Sequence, residues 1–272
     1  MAKELNGAEL AGFIKERQLK QVRNLRQEHK IVPKLLIIKS IGASDVIDTY
    51  IRMKQRYAED ILIETEVLAL NEGDMVDKIH AANIDSNVYG IIVQLPLLEN
   101  SQIDKILGEI SPEKDVDGLG GGAHYPSATA EAVDWLLTGY GIELEGKNIA
   151  ILGRGRLVGA PLEAMWRERG LRVVAFDIDS GDIRESVRSS DIVVTATGVP
   201  ERLTSADVGD NVIVVDAGTA SEGGVIVGDA SDDLRARQDV TITPVRGGVG
   251  PLTIAVLFDH VIQAALKKAG KL

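Results

Sequence analysis

The stretch Asn148–Gly159, which reads NIAILGRGRLVG, decides the fold. Its apolar first half predicts a buried strand, and a glycine-rich turn then leads into a helix predicted over Leu157–Arg169. This order exposes the amide groups of a helix N-terminus, where dinucleotide folds bind a pyrophosphate. The three glycines, Gly153, Gly155 and Gly159, are spaced one residue wider than the usual fingerprint. A strand-to-helix turn that binds no ligand therefore remains the alternative interpretation.

Small and acidic residues at the ends of the following strands favour the cofactor interpretation. The predicted strand Arg172–Phe176 runs into Asp177, about 20 residues after the glycine turn, where a carboxylate can accept a hydrogen bond from a ribose hydroxyl. Small residues at the carboxyl ends of two further predicted strands leave room for a cofactor. The strand-end candidates are Asp177, Thr197, Gly198 and Gly218. The alternative is that the small residues pack against helices and that Asp177 caps a helix or lies in a loop.

Outward from this stretch, apolar strands alternate with helices along the whole chain, which is typical of an α/β fold with parallel sheets. A glycine-rich segment at 114–126 interrupts the alternation and predicts a boundary between two lobes. We expect an α/β catalytic lobe at residues 1–118, completed by 247–272. A Rossmann-like nucleotide-binding lobe is expected at 119–246. The C-terminal helix, predicted over Leu252–Lys268, should return to the first lobe.

The composition of the chain excludes several classes of function. The chain has 272 residues and a net charge of −11, so phosphate backbones would repel it, and we expect no nucleic-acid partner. It contains no cysteine, which excludes thiolate zinc sites, iron–sulfur clusters and a cysteine nucleophile; no metal is expected. The long apolar stretches Ile31–Ile38 and Val88–Leu98 fall short of the roughly 20 residues of a membrane span. A cytoplasmic protein without a membrane partner is the expectation.

The first lobe carries candidate catalytic side chains. Tyr50 and Lys54 are four residues apart and share one face of a predicted helix, although a solvated lysine beside a half-buried tyrosine would have the same spacing. Gln94 directly follows the predicted strand Val88–Val93, where an amide can serve a site or only a loop hydrogen bond. Asp117, in the segment Lys114–Gly118, lies at the lobe boundary, which is the usual place for a cleft; an ordinary Asp-Gly turn is the alternative there.

Taken in order, these motifs resemble those of the bifunctional methylenetetrahydrofolate dehydrogenase/cyclohydrolases. The resemblance covers nearly the whole chain. Its most diagnostic piece is Pro244–Pro251, which reads PVRGGVGP. The motifs that carry it are Tyr50-x-x-x-Lys54, Val93-Gln94-Leu95-Pro96-Leu97, Lys114-Asp115-Val116-Asp117-Gly118, Gly153-Arg154-Gly155 with Val158-Gly159-x-Pro161, and Gly247–Thr253.

The resemblance implies oxidation of 5,10-methylenetetrahydrofolate by hydride transfer to a nicotinamide, followed by hydrolysis of the methenyl product to 10-formyltetrahydrofolate. It implies that Lys54 is the catalytic lysine, Tyr50 packs on the folate, Gln94 tunes the lysine and Asp117 holds the pterin. Substrate contacts are implied for Gly248, Pro251 and Thr253. The implied cofactor-binding residues are Gly153, Arg154, Gly155, Val158, Gly159, Asp177, Thr197, Gly198 and Gly218. A homodimer is also implied.

Departures from the family pattern keep alternatives open. Ile47 stands where the family has serine, Arg246 replaces a proline, and the loop between Gly118 and Thr129 is short. The alternatives are a non-catalytic or dehydrogenase-only paralogue that binds a dinucleotide or folate, and a nicotinamide dehydrogenase for another small substrate. Asp177 stands where the family often has a serine followed by a basic residue. A carboxylate there would repel a 2′-phosphate, so we favour NAD over NADP, although Arg154 could bind that phosphate.

Overall fold

The computed structural model describes residues 3–218, 220–222 and 225–271, and it divides into two compact units. The first unit comprises Gly12–Ala128 and Ile254–Leu272; the second comprises Met1–Ala11 and Thr129–Thr253. Each unit is an α/β structure with its own parallel sheet and its own apolar core. The α/β class predicted from the sequence is confirmed.

Helices and strands alternate along most of the chain. The helices are α1 (Gly7–Glu28), α2 (Asp45–Asp60), α3 (Glu72–Ile84), α4 (Ile103–Gly108), α5 (Ala128–Gly139), α6 (Gly159–Glu168), α7 (Arg184–Arg188), α8 (Asp232–Arg235) and α9 (Val249–Lys268). The strands are β1 (Lys3–Glu4), β2 (Lys34–Ser40), β3 (Glu64–Leu70), β4 (Val88–Val93), β5 (Asn148–Leu152), β6 (Arg172–Phe176), β7 (Ile192–Thr195), β8 (Ile213–Asp216), β9 (Ala220–Glu222), β10 (Val225–Val227) and β11 (Thr241–Ile242).

The first unit is built on a three-stranded parallel sheet in the order β3-β2-β4. All six residues of β4 are buried, because helices cover both faces of such a sheet. Its core joins residues of β2 and β4 to α3 and α4, among them Ile38, Ile79, Ile91 and Ile106. Since the strands are parallel, their carboxyl ends meet at one edge, and Gln94 follows β4 there.

The second unit is built on a six-stranded parallel sheet in the order β1-β11-β8-β7-β5-β6. The strand of the glycine turn, β5, lies between β6 and β7, and β8 follows β7. The strand order therefore lines up Asp177, the glycine turn, Thr197 and Gly218 along one sheet edge. A separate antiparallel hairpin is formed by β9 and β10.

The C-terminal helix returns to the first unit from Ile254 onward, as predicted. There Gln18 of α1 donates from Nε2 to the carbonyl of Ala255 at 2.8 Å, and Arg17 pairs with Asp259 at 2.6 Å. By length and composition α9 could cross a membrane, but 67% of its most apolar window is buried in the protein. That burial is what a core helix shows.

The boundaries of the two units differ from the domain boundaries that the sequence predicts after residues 118 and 246. Segment 119–128 stays with the first unit, because Gly120 donates its amide to Asp115 at 2.7 Å and Ala128 donates to the carbonyl of Asp117 at 3.1 Å. The first residues of the chain belong to the second unit instead, because β1 pairs with β11.

Two predicted helices differ from the observed ones. The helix expected over Leu157–Arg169 spans Gly159–Glu168, and the C-terminal helix expected from Leu252 begins at Val249. Positive φ angles precede two of the strands: β3 begins at Glu64, after Leu62 at φ 64°, and β8 begins at Ile213, after Asn211 at φ 56°.

Candidate active site and cofactor site

Lys54 and Gln94 meet in the first unit. Lys54 lies in the last half of α2, and its ammonium donates to Oε1 of Gln94 at 2.5 Å. Gln94 is fixed in turn, since its backbone amide bonds the carbonyl of Ile38 at 2.8 Å and its Nε2 donates to Leu95. Burial lowers the pKa of Lys54, and the nearby carboxylate of Asp117 partly offsets this. The lowered pKa increases the fraction of neutral amine, which is the form that accepts a proton.

Tyr50 lies one turn before Lys54 on α2 and is half-buried. The i, i+4 spacing puts both side chains on one helix face, as expected. Ile47, a further turn back, is buried at 5% exposure. The position where the family has serine is thus filled here by an apolar core residue.

Asp117 and Asp115 occupy the loop after α4. Burial raises the pKa of Asp117; the charge of Lys54 opposes this rise, and that of Asp115 adds to it. Asp115 is 2% exposed and accepts backbone amides from Gly118 at 3.0 Å and Gly120 at 2.7 Å. Asp115 therefore shapes the loop, while Asp117 interacts with the charge of Lys54.

His260 lies behind this loop and was missed by the sequence reasoning. It is 1% exposed, and its Nδ1–H donates to the carbonyl of Val116 at 2.8 Å. The ring of Tyr125 stacks on it with centroids 4.7 Å apart. A histidine inside the apolar run of α9 carries no motif in the sequence, so its contact with the Asp117 loop could not have been predicted.

A cavity of about 770 Å³ in the first unit does not include the Lys54 site. Two of its lysines are engaged: Lys114 donates to the carbonyls of Ala82 and Asp85 at 2.8 Å, and Lys268 donates to the carbonyl of Ser86. The lining residues are Ser86, Val88, Tyr89, Glu113, Lys114, His124, Tyr125, Gln263, Ala264, Lys267 and Lys268.

The glycine turn of the second unit contains two glycines that packing requires and one that it does not. Gly153 has φ +91°, and a Cβ on it would lie 2.4 Å from the carbonyl oxygen of Ala196. A Cβ on Gly159 would lie 1.7 Å from the carbonyl oxygen of Gly153. A Cβ on Gly155 would meet nothing within 4 Å. Close packing inside the unit therefore explains Gly153 and Gly159, and Gly155 leaves open space in the turn that precedes α6 and its N-cap residue Val158.

Arg154, in the same turn, is bound by two carboxylates. Its Nε donates to Glu163 of α6 at 2.9 Å, and Glu163 is only 5% exposed. Its Nη1 lies 3.9 Å from Asp177 at the end of β6. Asp177 is exposed, and it also accepts hydrogen bonds from the hydroxyl of Ser180 at 2.9 Å and the amide of Asp179 at 3.1 Å. These hydrogen bonds, and the charge of Arg154, hold its pKa below the ordinary value.

The strand-end residues Thr197, Gly198 and Gly218 lie at the carboxyl ends of β7 and β8, as predicted. Thr197 donates both its amide, at 2.6 Å, and its hydroxyl, at 2.9 Å, to Asp229. Gly218 donates its amide to Asp216 at 3.1 Å. The sequence reasoning did not single out Asp216 or Asp229, although both are buried acids in the middle of this edge.

Gly248, Pro251 and Thr253, expected to contact substrate, lie in the second unit around the start of α9. The turn before the helix packs on the start of α1: Ala8 donates to the carbonyl of Gly247 at 2.9 Å, and a Cβ on Gly7 would lie 2.0 Å from the oxygen of Gly248. The close approach therefore requires glycine at position 7, where the start of α1 meets the backbone of this motif. The substrate role of the three residues stays a prediction.

Comparison with known proteins matches two successive parts of the chain to the two domains of one family. Residues 5–117 match the family model described as tetrahydrofolate dehydrogenase/cyclohydrolase, catalytic domain. Residues 127–269 match its NAD(P)-binding domain. The chain belongs to the tetrahydrofolate dehydrogenase/cyclohydrolase family. The family predicted from the ordered motifs is thereby confirmed.

Full-length relatives support the assignment to this family. The chain is 34% identical to the bifunctional protein FolD of Nitratiruptor sp. over 97% of this chain and 98% of that one. The crystal structure of FolD from Campylobacter jejuni superposes with a TM-score of 0.92 at 32% identity, covering 98% of this chain and 100% of that one. The Trypanosoma brucei enzyme, solved with NADP and an inhibitor, gives 0.89 at 28% identity over 100% and 99% of the two chains.

Proposed function

We propose that the chain oxidises 5,10-methylenetetrahydrofolate with a nicotinamide cofactor and hydrolyses the methenyl product to 10-formyltetrahydrofolate. The observation that carries this proposal is the Lys54 ammonium, which Gln94 holds at 2.5 Å while burial lowers its pKa. A non-catalytic paralogue would have no need to keep an amine in this state. A dehydrogenase-only paralogue is also disfavoured, because an amine with a lowered pKa suits the hydrolytic step.

In the hydrolytic step, we assign Lys54 the role of proton acceptor. Water adds to the methenyl carbon between N5 and N10 of the folate, and the neutral amine takes the proton that the water loses. The adduct then loses its hydroxyl proton as that oxygen becomes the formyl carbonyl, the C–N5 bond breaks, and N5 takes up one proton. The formyl group remains on N10, and one proton is released to the solvent overall. Gln94 holds the amine in place through its carbonyl oxygen. The methylene carbon bears no acidic proton, so the oxidation depends on positioning rather than on a base.

For the folate itself, we assign Asp117 to the pterin and Tyr50 to the face of the ring. A carboxylate can accept two N–H groups of a pterin in a charge-assisted pair. Tyr50 shares the helix face of Lys54, so a ring packed on it lies beside the amine. We further propose that Gly248, Pro251 and Thr253 contact the substrate. In this division, folate chemistry belongs to residues 1–118 with 247–272, and dinucleotide binding belongs to 119–246.

The second unit would hold the dinucleotide along the carboxyl edge of its sheet. The residues present fit such a group, because Gly155 leaves open space at the turn before α6, where a pyrophosphate approaches backbone amides. Gly153, Arg154, Val158 and Gly159 form the rest of the turn. When bound, the nicotinamide accepts the hydride from the folate.

We propose NAD as the preferred cofactor. Asp177, at the end of β6, keeps its charge because hydrogen bonds lower its pKa. Arg154, the residue that could bind a 2′-phosphate, already pairs with buried Glu163 and lies 3.9 Å from Asp177. A 2′-phosphate would have to replace these carboxylates at the guanidinium and approach a fixed negative charge. NADP bound to the Trypanosoma brucei relative makes NADP the competing assignment.

One assay tests the proposed function and the cofactor preference. Purified protein is mixed with methylenetetrahydrofolate and either NAD or NADP, and absorbance follows the reduced nicotinamide and the methenyl product separately. We expect reduced cofactor to form faster with NAD, and the methenyl absorbance to rise and then decay as the formyl product forms. Formation of a stable methenyl product would refute the hydrolase half, and no reduction with either cofactor would refute the proposal.

Two further properties follow from the family resemblance. We propose a homodimer that works in the cytoplasm, in one-carbon metabolism that supplies purine biosynthesis. Sedimentation velocity at micromolar concentration tests the assembly, with a single species at twice the chain mass of 29.2 kDa as the expected result.

A further inference from the structure

Asp229 is a buried carboxylate in the second unit whose two oxygens differ in their surroundings. The residue is fully buried and lies just after β10. Its Oδ2 accepts three hydrogen bonds: from the hydroxyl of Thr195 at 2.7 Å, and from the amide and hydroxyl of Thr197 at 2.6 and 2.9 Å. This oxygen fastens Asp229 to the end of β7.

The other oxygen of Asp229, Oδ1, has no hydrogen-bond partner among the residues that the structure describes. Its neighbour Asp216 shows the usual arrangement, with Oδ1 accepting the amides of Gly218 and Asp229 and Oδ2 accepting Ala230 and Arg235. Buried carboxylate oxygens are rarely left unpaired, because losing water without gaining a donor is costly. Among the described residues, this oxygen is therefore free to accept an N–H group of a ligand.

Gly218 is the residue against which this oxygen lies. A Cβ added to Gly218 would come within 2.0 Å of Oδ1, so only glycine at this position lets the carboxylate occupy its place. Gly218 itself is half-buried and follows β8 at the sheet edge. Oδ1 thus lies against the backbone of the residue that follows β8 at the sheet edge.

The strand order tells which part of a dinucleotide would lie there. Along the edge the order is β6, β5, β7, β8. With the adenosine ribose at Asp177 after β6 and the pyrophosphate at the glycine turn after β5, the other half of the molecule extends over β7 and β8. That half carries the nicotinamide, whose carboxamide NH₂ is its only N–H donor.

We propose that Asp229 recognises the nicotinamide carboxamide, with Oδ1 accepting its N–H when the cofactor binds. This inference rests on the proposed function, since it needs a dinucleotide in the second unit. It makes Asp229 a specificity residue for the reactive end of the cofactor, separate from Asp177 and Arg154, which would distinguish NAD from NADP at the other end.

The test compares ligands that differ only at this end, with binding measured by calorimetry on the full chain. NAD is compared with its 3-acetylpyridine analogue, in which a methyl group replaces the NH₂, and with ADP-ribose, which lacks the nicotinamide. We expect wild-type protein to bind NAD about tenfold more tightly than the analogue, the ratio for a hydrogen bond to a charged acceptor. If NADP binds more tightly than NAD, the phosphorylated pair of ligands is used.

Asp229→Asn preserves the shape of the side chain and an acceptor for Thr195 and Thr197, but places an NH₂ toward Gly218. We expect NAD binding to weaken about tenfold, ADP-ribose binding to stay within twofold, and the preference for NAD over the analogue to disappear. Asp207→Asn is the matched control, because Asp207 also accepts the amide and hydroxyl of one threonine, Thr204. It should change none of the affinities.

The outcomes distinguish failure of the proposed role of Asp229 from failure of the proposed function. A wild-type protein that binds NAD and its analogue equally overturns the inference without any variant, so a variant that fails to fold does not protect it. An Asp229→Asn protein that keeps the preference, or loses ADP-ribose binding equally, also overturns it. Failure of the wild type to bind NAD, NADP or ADP-ribose would instead refute the dinucleotide site itself.

Discussion

Each unit contains an acid–base pair, and the two pairs differ in burial. In the first unit, Lys54 and Asp117 share a site in which burial lowers the pKa of the amine and raises that of the carboxyl. In the second unit, Arg154 and Asp177 lie 3.9 Å apart with side chains 48% and 41% exposed, and hydrogen bonds lower the pKa of the carboxyl. Burial thus destabilises both charges of the first pair, while exposure preserves both charges of the second.

Because of this difference in burial, the two pairs are suited to different chemical roles. A lysine whose pKa is lowered by burial is more readily present as the neutral amine, which can accept the proton that hydrolysis releases. An arginine and an ionised aspartate exchange no proton near neutral pH and act as fixed charges, which suits selection of a ligand. Substitutions in the folate site should therefore lower the rate of the reaction or the affinity for folate. Substitutions in the nucleotide site should change the selectivity between NAD and NADP.

The largest expected effect is at Lys54. Lys54→Met keeps the length of the side chain and removes the amine, so hydrolysis of methenyltetrahydrofolate should fall by about 10²- to 10⁴-fold, the usual contribution of a positioned proton acceptor. Decay of the methenyl absorbance measures this. A wild-type rate would remove Lys54 from the mechanism.

Lys114→Met is the matched control for Lys54→Met. Burial also lowers the pKa of Lys114, yet its amine is used by the carbonyls of Ala82 and Asp85. Removing it should lower the midpoint of urea unfolding while hydrolysis stays within about threefold of wild type. A collapse of hydrolysis in a folded Lys114→Met protein would show that the loss in Lys54→Met is not specific to the Lys54 site.

Asp117→Ala should come next in size. Removal of a charge-assisted acceptor costs about 1.5 to 3 kcal/mol, so the dissociation constant for folate should rise about 10- to 100-fold while that for the nicotinamide cofactor hardly changes. Calorimetry with each ligand alone distinguishes the two. Equal losses for both would move Asp117 out of the substrate site.

Gln94→Glu should shift the pH profile rather than abolish the reaction. A carboxylate in place of the amide favours the ammonium form of Lys54 and raises its pKa. The neutral amine is the active form, so the acid limb of kcat/KM for hydrolysis should move to higher pH, and the rate at neutral pH should fall by up to about tenfold for each pH unit of the shift. An acid limb that stays in place would show that another group sets it.

The local pattern of apolar and polar residues was sufficient to predict three of the buried strands. The strands β4, β5 and β6 begin and end at the predicted residues, because each is an apolar run bounded by polar or glycine residues. The contact between Lys54 and Gln94 was expected from the family resemblance, in which the amide tunes the lysine. The position of Asp177 near the glycine turn followed from the distance along the chain between that turn and the next strand end.

The structural features that could not be predicted from the sequence depend on contacts between residues far apart in the chain. The two-residue strands β1 and β11 are too short to show a pattern, and their pairing assigns the first residues to the second unit. His260 reaches the Asp117 loop across 144 residues, and Asp229 reaches Thr195 across 34. Nothing near either residue in the sequence indicates its partner, because a buried polar group is specified by what surrounds it in three dimensions.

The smallest effect is expected at the exposed pair. Asp177→Ser removes the carboxylate that faces the proposed ribose position but leaves Arg154 bound to Glu163, so selectivity should relax rather than reverse. Exposed charges interact by about 1 kcal/mol or less, so the ratio of kcat/KM for NAD to that for NADP should fall about fivefold. Asp182→Ser is the control: Asp182 is also an exposed carboxylate, but its side chain, 77% exposed, lies beside Arg184 and not Arg154. That variant should leave the ratio unchanged. If both variants lowered the ratio equally, the general negative field and not Asp177 would set the preference. If the wild-type enzyme already favoured NADP, the pairing of Arg154 with Glu163 and Asp177 would have to open when the cofactor binds.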